Sequence, residues 1–200
     1  MMNTKQKILS AALELYNAQG IKTSTRQIAD SMGISAGNLH YHFKHTPDIL
    51  TALFLEIKES FDQLISTFEM ANPISQRTIN EHIDSSFAIV WKYRFLFRNF
   101  MEVVNTAPTI REAYSKLILT REEQFRKIFS VMRENGYFRN DLPNHCWKTL
   151  SKQTMIAGDF WLVHQELVQE LDREEAAKAF ADFIHGIFVP YTTKFQGEEK

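Results

Sequence analysis

Apolar side chains recur at helical spacing almost from the start of the chain. Ile8, Leu9, Ala12, Leu15 and Tyr16 mark one stripe of a segment 4–19, which Gly20 closes. Thr23-Ser24-Thr25 then offers side-chain oxygens to cap a short helix over about 25–32 with Ile28, Ala29 and Met32 on its inner face, and Gly33 supplies the left-handed backbone that ends it. Ser35 can cap a third short helix, about 36–43, in which Leu39 and Phe43 lie one turn apart and point inward. Thr46-Pro47-Asp48 reads as N-cap, first helical residue and acidic second position, the opening of a long helix to about residue 70.

Beyond that helix the breaks fall at Asn72-Pro73, Ala107-Pro108 and Asn135-Gly136 through Pro143. The stretch 109–134 places Ile110, Tyr114, Leu117, Ile118, Phe125, Ile128, Phe129 and Met132 on one stripe. The stretch 145–170 is apolar on two sides, with Trp147, Leu150, Ala157, Trp161 and Val168 on one and Ile156, Phe160, Val163 and Leu167 on the other. A last helix from about Asp172 carries Ala176, Phe180, Phe183, Ile184, Ile187 and Phe188 beside small Ala177 and Ala181, Pro190 kinks or ends it, and Gly197-Glu198-Glu199-Lys200 reads as a frayed tail. A helix with two apolar faces needs two neighbours. Either it is wholly internal, or it lies half in its own core and half in a partner subunit. The second reading gives a homodimer with two helices from each subunit in a four-helix interface, and candidate interface residues Trp161, Ala177, Phe180, Ala181, Ile184 and Phe188.

Composition agrees with an all-α chain. Seven glycines and five prolines in 200 residues are about half the usual combined share of ~12%, too few for a sheet protein with many tight hairpins. No window approaches the ~18 uninterrupted apolar residues of a membrane span, Glu14 interrupts the apolar stretch that a leader would need, and one cysteine, Cys146, cannot form an internal disulfide. A cytoplasmic protein is expected. The net charge of −1 hides a mild asymmetry: over residues 1–50, Lys5, Lys7, Lys22, Arg26 and Lys44 outnumber Glu14, Asp30 and Asp48, leaving +2 there and −3 elsewhere. That balance permits a nucleic-acid partner without demanding one.

A short helix, a glycine turn and a second short helix form a helix-turn-helix layout, in which the first helix braces a second that enters a major groove about 12 Å wide. With Leu39 and Phe43 turned inward, Ala36, Gly37, Asn38, His40, Tyr41 and His42 are left for the outer surface and its edges. Small Ala36 and Gly37 allow close approach to bases, Asn38 can pair with adenine, and Tyr41, His42, Lys44, Thr25 and Thr46 suit phosphate oxygens. The run Thr25-Arg26-Gln27-Ile28-Ala29-Asp30-Ser31-Met32-Gly33-Ile34-Ser35-Ala36-Gly37-Asn38-Leu39-His40-Tyr41-His42-Phe43-Lys44 resembles the signature of the TetR family of bacterial transcription regulators, with a match over about residues 5–55. The resemblance implies an all-helical homodimer in two parts: a three-helix helix-turn-helix DNA-binding domain, residues 1–50, and a helical effector-binding and dimerisation domain, 51–200. It implies a ligand-responsive repressor that reads a palindromic operator on double-stranded DNA, and it places Thr25, Ser35, Ala36, Gly37, Asn38, Tyr41, His42 and Lys44 at positions that commonly touch DNA. Arg26, His40 and Thr46 complete the candidate set; the family often has Tyr where His40 stands and Lys where Thr46 stands.

Nothing equally specific marks the remainder. Six of the fourteen residues from Phe87 to Phe100 are aromatic, which reads either as ordinary core or as part of an apolar cavity for an aromatic or apolar effector. Candidate lining residues are Trp91, Phe95, Phe97, Phe100 and Met101, faced by Tyr114, Phe125, Trp147, Met155, Phe160 and Trp161. His40 and His42 lie about 200° apart around a helix, so they do not grip one metal ion. Neither a nucleophile with its base nor a glycine-rich phosphate loop is present. No metal, cofactor or enzyme activity is expected. The alternative function is a small-molecule or protein binding module of the same fold, with DNA binding secondary.

Overall fold

The computed structural model describes residues 3–71 and 74–193, and these are helical with short connections. The helices are α1 (Thr4–Gln19), α2 (Thr25–Ser31), α3 (Ala36–His42), α4 (Thr46–Met70), α5 (Gln76–Lys92), α6 (Arg94–Arg98), α7 (Phe100–Thr106), α8 (Pro108–Glu134), α9 (Asn144–Val168) and α10 (Arg173–Phe188), followed by a 3-10 turn, Val189–Tyr191. Among the described residues there is no strand, and no helix is long and apolar enough to cross a membrane. The Asn72-Pro73 break and the tail from Gly197 lie outside the described residues.

Local chemistry accounts for most boundaries. Asn3, Ser24 and Asp172 cap α1, α2 and α10 through capping boxes with Gln6, Gln27 and Glu175, so Ser24 and not Thr25 is the cap of α2. At the far end of α2, Gly33 has φ +65° and donates to the Asp30 carbonyl, while Ile34 donates to that of Ala29. This paired closure satisfies the last carbonyls of the helix and sets the turn before α3. Thr46 is the first residue of α4 rather than its cap, and the Asp48 carboxylate accepts the His45 N–H at 2.9 Å. Pro190 falls inside the 3-10 turn that terminates α10.

By its internal contacts the chain divides into two units. The first runs to Ser60 and includes Lys92–Ser115; the second is Phe61–Trp91 with Lys116 onward. Besides α1 to α3 and the start of α4, the first unit takes in α6, α7 and the start of α8. Asn17 shows how. Its side chain donates to the Lys92 carbonyl at 2.9 Å and accepts the Phe95 N–H at 3.0 Å, so the turn between α5 and α6 is held on α1.

In the second unit, Phe87 of α5, Trp161 of α9 and Phe180 of α10 meet with ring centroids 5.2–6.3 Å apart. Phe129, Phe138 and Phe188 form another cluster at 5.5–5.9 Å, and backbone hydrogen bonds join Arg139 to Tyr191 and Thr193 to Tyr137. A buried guanidinium, Arg121 on α8, meets Asp62 on α4 at 2.7 Å. These contacts account for the burial of four residues of the expected dimer seam. Trp161, Phe180, Ile184 and Phe188 are buried within their own chain, and Ala177 and Ala181 are half-buried beside them. A side chain already out of water has little area left to give a partner. The apolar residues left exposed on α9 and α10 are Ile156, Phe160, Leu167, Val168 and Phe183.

Candidate nucleic-acid interface

The first four helices build one small core beneath a polar surface. Ile8 and Ala12 of α1, Ile28 and Ala29 of α2, Leu39 of α3, and Ile49, Leu50 and Leu53 of α4 are fully enclosed, and Phe43 closes the end of α3. Burying both Leu39 and Phe43 fixes the rotation of α3, because residues four apart share a face. The opposite surface is then set: Ala36, Gly37, Asn38, His40 and Tyr41 are exposed, with Ser35 and Lys44 exposed at the two ends and His42 half-buried at the edge.

Each candidate has a local setting. The Ser35 hydroxyl accepts the Asn38 N–H at 3.2 Å, capping α3 while its own proton stays available to donate. The Thr25 hydroxyl lies 3.4 Å from His40 Nε2, so these two candidates tie the start of α2 to the middle of α3. Sequence reasoning gave both a DNA contact and missed this mutual one, which joins residues fifteen apart across the turn. Arg26 forms an exposed ion pair with Asp30 at 4.0 Å, weak enough to exchange for a phosphate. Tyr41 is 85% exposed, with its ring edge-on to His42 at 5.1 Å. Thr46 is half-buried at the start of α4. Lys5, not among the candidates, holds its ammonium 5.5 Å over the Phe43 ring and adds a cation beside the end of α3.

Gly37 is informative because the chain does not need it. A Cβ there would meet only Ser35 Oγ at 3.9 Å, an ordinary contact, and the backbone is not left-handed. Glycine within a helix costs about 1 kcal/mol relative to alanine.

The candidate effector residues separate between the two units. Phe95, Phe97, Phe100, Met101 and Tyr114 belong to the first: Phe95 is buried on Tyr16 at 5.3 Å, Phe97 is buried, Phe100 meets Tyr114 at 4.6 Å, and Met101 is exposed. Trp91, Phe125, Trp147, Met155, Phe160 and Trp161 belong to the second. There Trp91 lies tilted against Phe87 at 5.6 Å, Phe125 lies on Phe129, Met155 is half-buried, and Phe160 sits on the exposed side of α9. Among the described residues no three of His, Cys, Asp and Glu gather as a metal site.

Both parts of this architecture have counterparts among known proteins. Residues 8–53 match the family model described as bacterial regulatory proteins, tetR family, and residues 56–198 match one described as a bacterial transcriptional repressor. The HTH-type transcriptional regulator AcrR of Shigella flexneri is 38% identical over 58 residues, 28% of this chain and 26% of that protein. The uncharacterized HTH-type transcriptional regulator TtgW of Pseudomonas putida is 39% identical over 51 residues, 25% of this chain and 38% of that protein. The matched segment thus spans well under half the length of either relative. A TetR-family transcriptional regulator from Marinobacter aquaeolei VT8, known from its crystal structure, is similar over nearly all of both chains: 25% identity, 96% of this chain, 92% of that one and a TM-score of 0.86. With a helix-turn-helix matched at one end and a regulator's helical domain at the other, the chain belongs to the TetR family of bacterial transcriptional regulators, DNA-binding proteins rather than enzymes.

Proposed function

We propose that this chain is a ligand-responsive repressor that acts in the cytoplasm as a homodimer. Its two α3 helices read the halves of a palindromic operator, and a small, largely apolar or aromatic effector bound in the second unit releases it. The observation that carries the reading is the outward surface of α3, where Gly37, Asn38 and Tyr41 stand exposed on a helix held by a fully buried Leu39. Asn38 supplies base readout, Tyr41, His42, Lys44 and Arg26 the phosphate contacts, and Ser35 and Ala36 the close approach at the helix start.

The exposed apolar face of α9 and α10 supports the dimer, and a two-fold dimer presents its reading helices to half-sites about 34–36 Å apart or a geometric equivalent. Trp91, Phe125, Trp147, Met155 and Trp161 of the second unit are the effector residues in this reading. Both α4 and α8 begin in the first unit and end in the second. The effector acts only through its differential affinity for the DNA-competent and released states.

The test is a selection of purified protein on sheared DNA of its own genome at physiological salt, before and after unfolding, washing and refolding. Enrichment of a short palindrome is expected in at least the refolded sample. No enrichment in either, by protein shown to be folded and dimeric, overturns the reading.

A further inference from the structure

Among the described residues, the second unit holds buried polar atoms without a hydrogen-bond partner. Along the inward stripe of α9, Trp147, Ser151 and Thr154 follow at i, i+4 and i+7, each more than nine-tenths buried. Ser151 is satisfied, since its hydroxyl donates to the Trp147 carbonyl at 2.9 Å. The Trp147 indole N–H and the Thr154 hydroxyl have no partner. The Nε–H of Arg133 on α8 has none either, and its guanidinium lies 4.8 Å over the Trp147 ring.

Thr154 is the sharper anomaly. A helical hydroxyl has a partner within reach in the carbonyl four residues back. Ser60, Thr67, Ser86 and Ser115 all turn to it, at 2.8–2.9 Å. Thr154 does not. Native interiors leave few such groups unpaired, and a group left so calls for a missing partner.

We propose that these atoms receive the effector, and that the effector is an amphipathic organic acid. Its carboxylate takes the Trp147 N–H and the Arg133 Nε–H, a charge-assisted pair of donors. A hydroxyl or carbonyl at its other end meets Thr154, about 10 Å further along the helix axis at 1.5 Å per residue. An apolar body spans the distance between them. The proposal rests on the effector-responsive reading above and adds to it the chemical class of the ligand and the side chains that select it.

The test is calorimetric titration of the purified protein with three probes: 10-hydroxydecanoate, decanoate and decan-1-ol. The first should bind tightest and the alcohol weakest. Thr154→Val keeps the side-chain volume and removes an unpaired hydroxyl, so it should melt no lower than the parent. It should erase the roughly fivefold advantage of the hydroxy acid over decanoate and leave decanoate itself unchanged. Trp147→Phe, and independently Arg133→Gln, should weaken both acids about tenfold and leave the alcohol alone. Absence of binding by all three probes, or equal binding by parent and variants, overturns the proposal.

Operator release by a small-molecule extract of the source bacterium separates this failure from a failure of the regulator reading. Release that is the same for the parent and all three variants rejects the acid site and keeps the ligand-responsive repressor. No release, from protein that selects no palindrome, rejects the repressor.

Discussion

Gly37 costs the folded chain helix stability and returns no contact within it. A Cβ there fits without a close approach, so Gly37→Ala should stabilise the reading head by about 0.5–1 kcal/mol. Yet the same methyl group would stand where α3 meets the groove, so operator affinity should fall at least tenfold while the melting temperature rises. Opposite signs in the two measurements are the signature; affinity equal to the parent's would mean that α3 does not approach the bases at this residue. Lys44 offers a different kind of test, since it lies exposed just past α3. Lys44→Ala should weaken binding to specific and unspecific DNA alike and reduce the slope of log affinity against log salt by about 1. An unaltered slope removes it from the phosphate contacts.

Within the helical second unit, a histidine contributes to the dependence of stability on acid. His82 of α5 lies 4.6 Å from the Phe68 ring of α4, and burial pushes its pKa down to about 4. In the unfolded chain the ring takes its proton near 6.5, so between pH 6.5 and 4 the unfolded state binds more protons than the folded one. The neutral ring's contribution is whole above pH 6.5 and is lost progressively as pH falls toward 4. At pH 5 the loss is about 2 kcal/mol. His82→Phe keeps a ring on Phe68 and has nothing to titrate, so urea midpoints at pH 7 and pH 5 should differ less for the variant; equal differences would mean His82 is solvated. Helix boundaries of the kind found in α1 to α4 were legible in the sequence because their causes are local: Gly20 and Gly33 with positive φ, and the cap oxygens of Ser24 and Ser35. The breaks at Tyr93 and Asn99 were not. No glycine or proline marks them, and the aromatic run from Phe87 reads as unbroken. What holds the turn at Lys92 to Phe95 is Asn17, more than seventy residues away, and no periodicity records such a bond. The same bond carries Phe95 and its neighbours into the N-terminal unit, which is why the candidate effector residues divide.

Dimerisation decides whether two reading heads act together, and α9 and α10 present two apolar stripes from which it could be built. Periodicity finds both stripes without saying which faces the chain's own core: Phe180 and Phe183 are three apart and equally apolar, and only packing distinguishes them. Phe180 is 3% exposed against Phe87 and Trp161, whereas Phe183 is 43% exposed, as are Phe160 at 46% and Ile156 at 60%. Large apolar side chains left in water on α9 and on α10 are the candidates for such a surface. Because α9 and α10 contact each other, pairing that surface with its two-fold mate brings two helices from each subunit together. A charge on each stripe therefore has a different consequence. Phe183→Glu and Phe160→Glu should give folded monomers by light scattering, with helicity kept and the apparent melting temperature lowered by the lost association. Phe180→Glu should instead fail to fold, since it buries an unpaired carboxylate in the subunit core. The folded monomer should retain weak half-site binding and lose tight binding to the full palindrome, since the second contact would no longer come at high effective concentration. A persistent dimer in Phe183→Glu and Phe160→Glu would move the seam off these helices. A folded monomer from Phe180→Glu would return it to the stripe read first from the sequence.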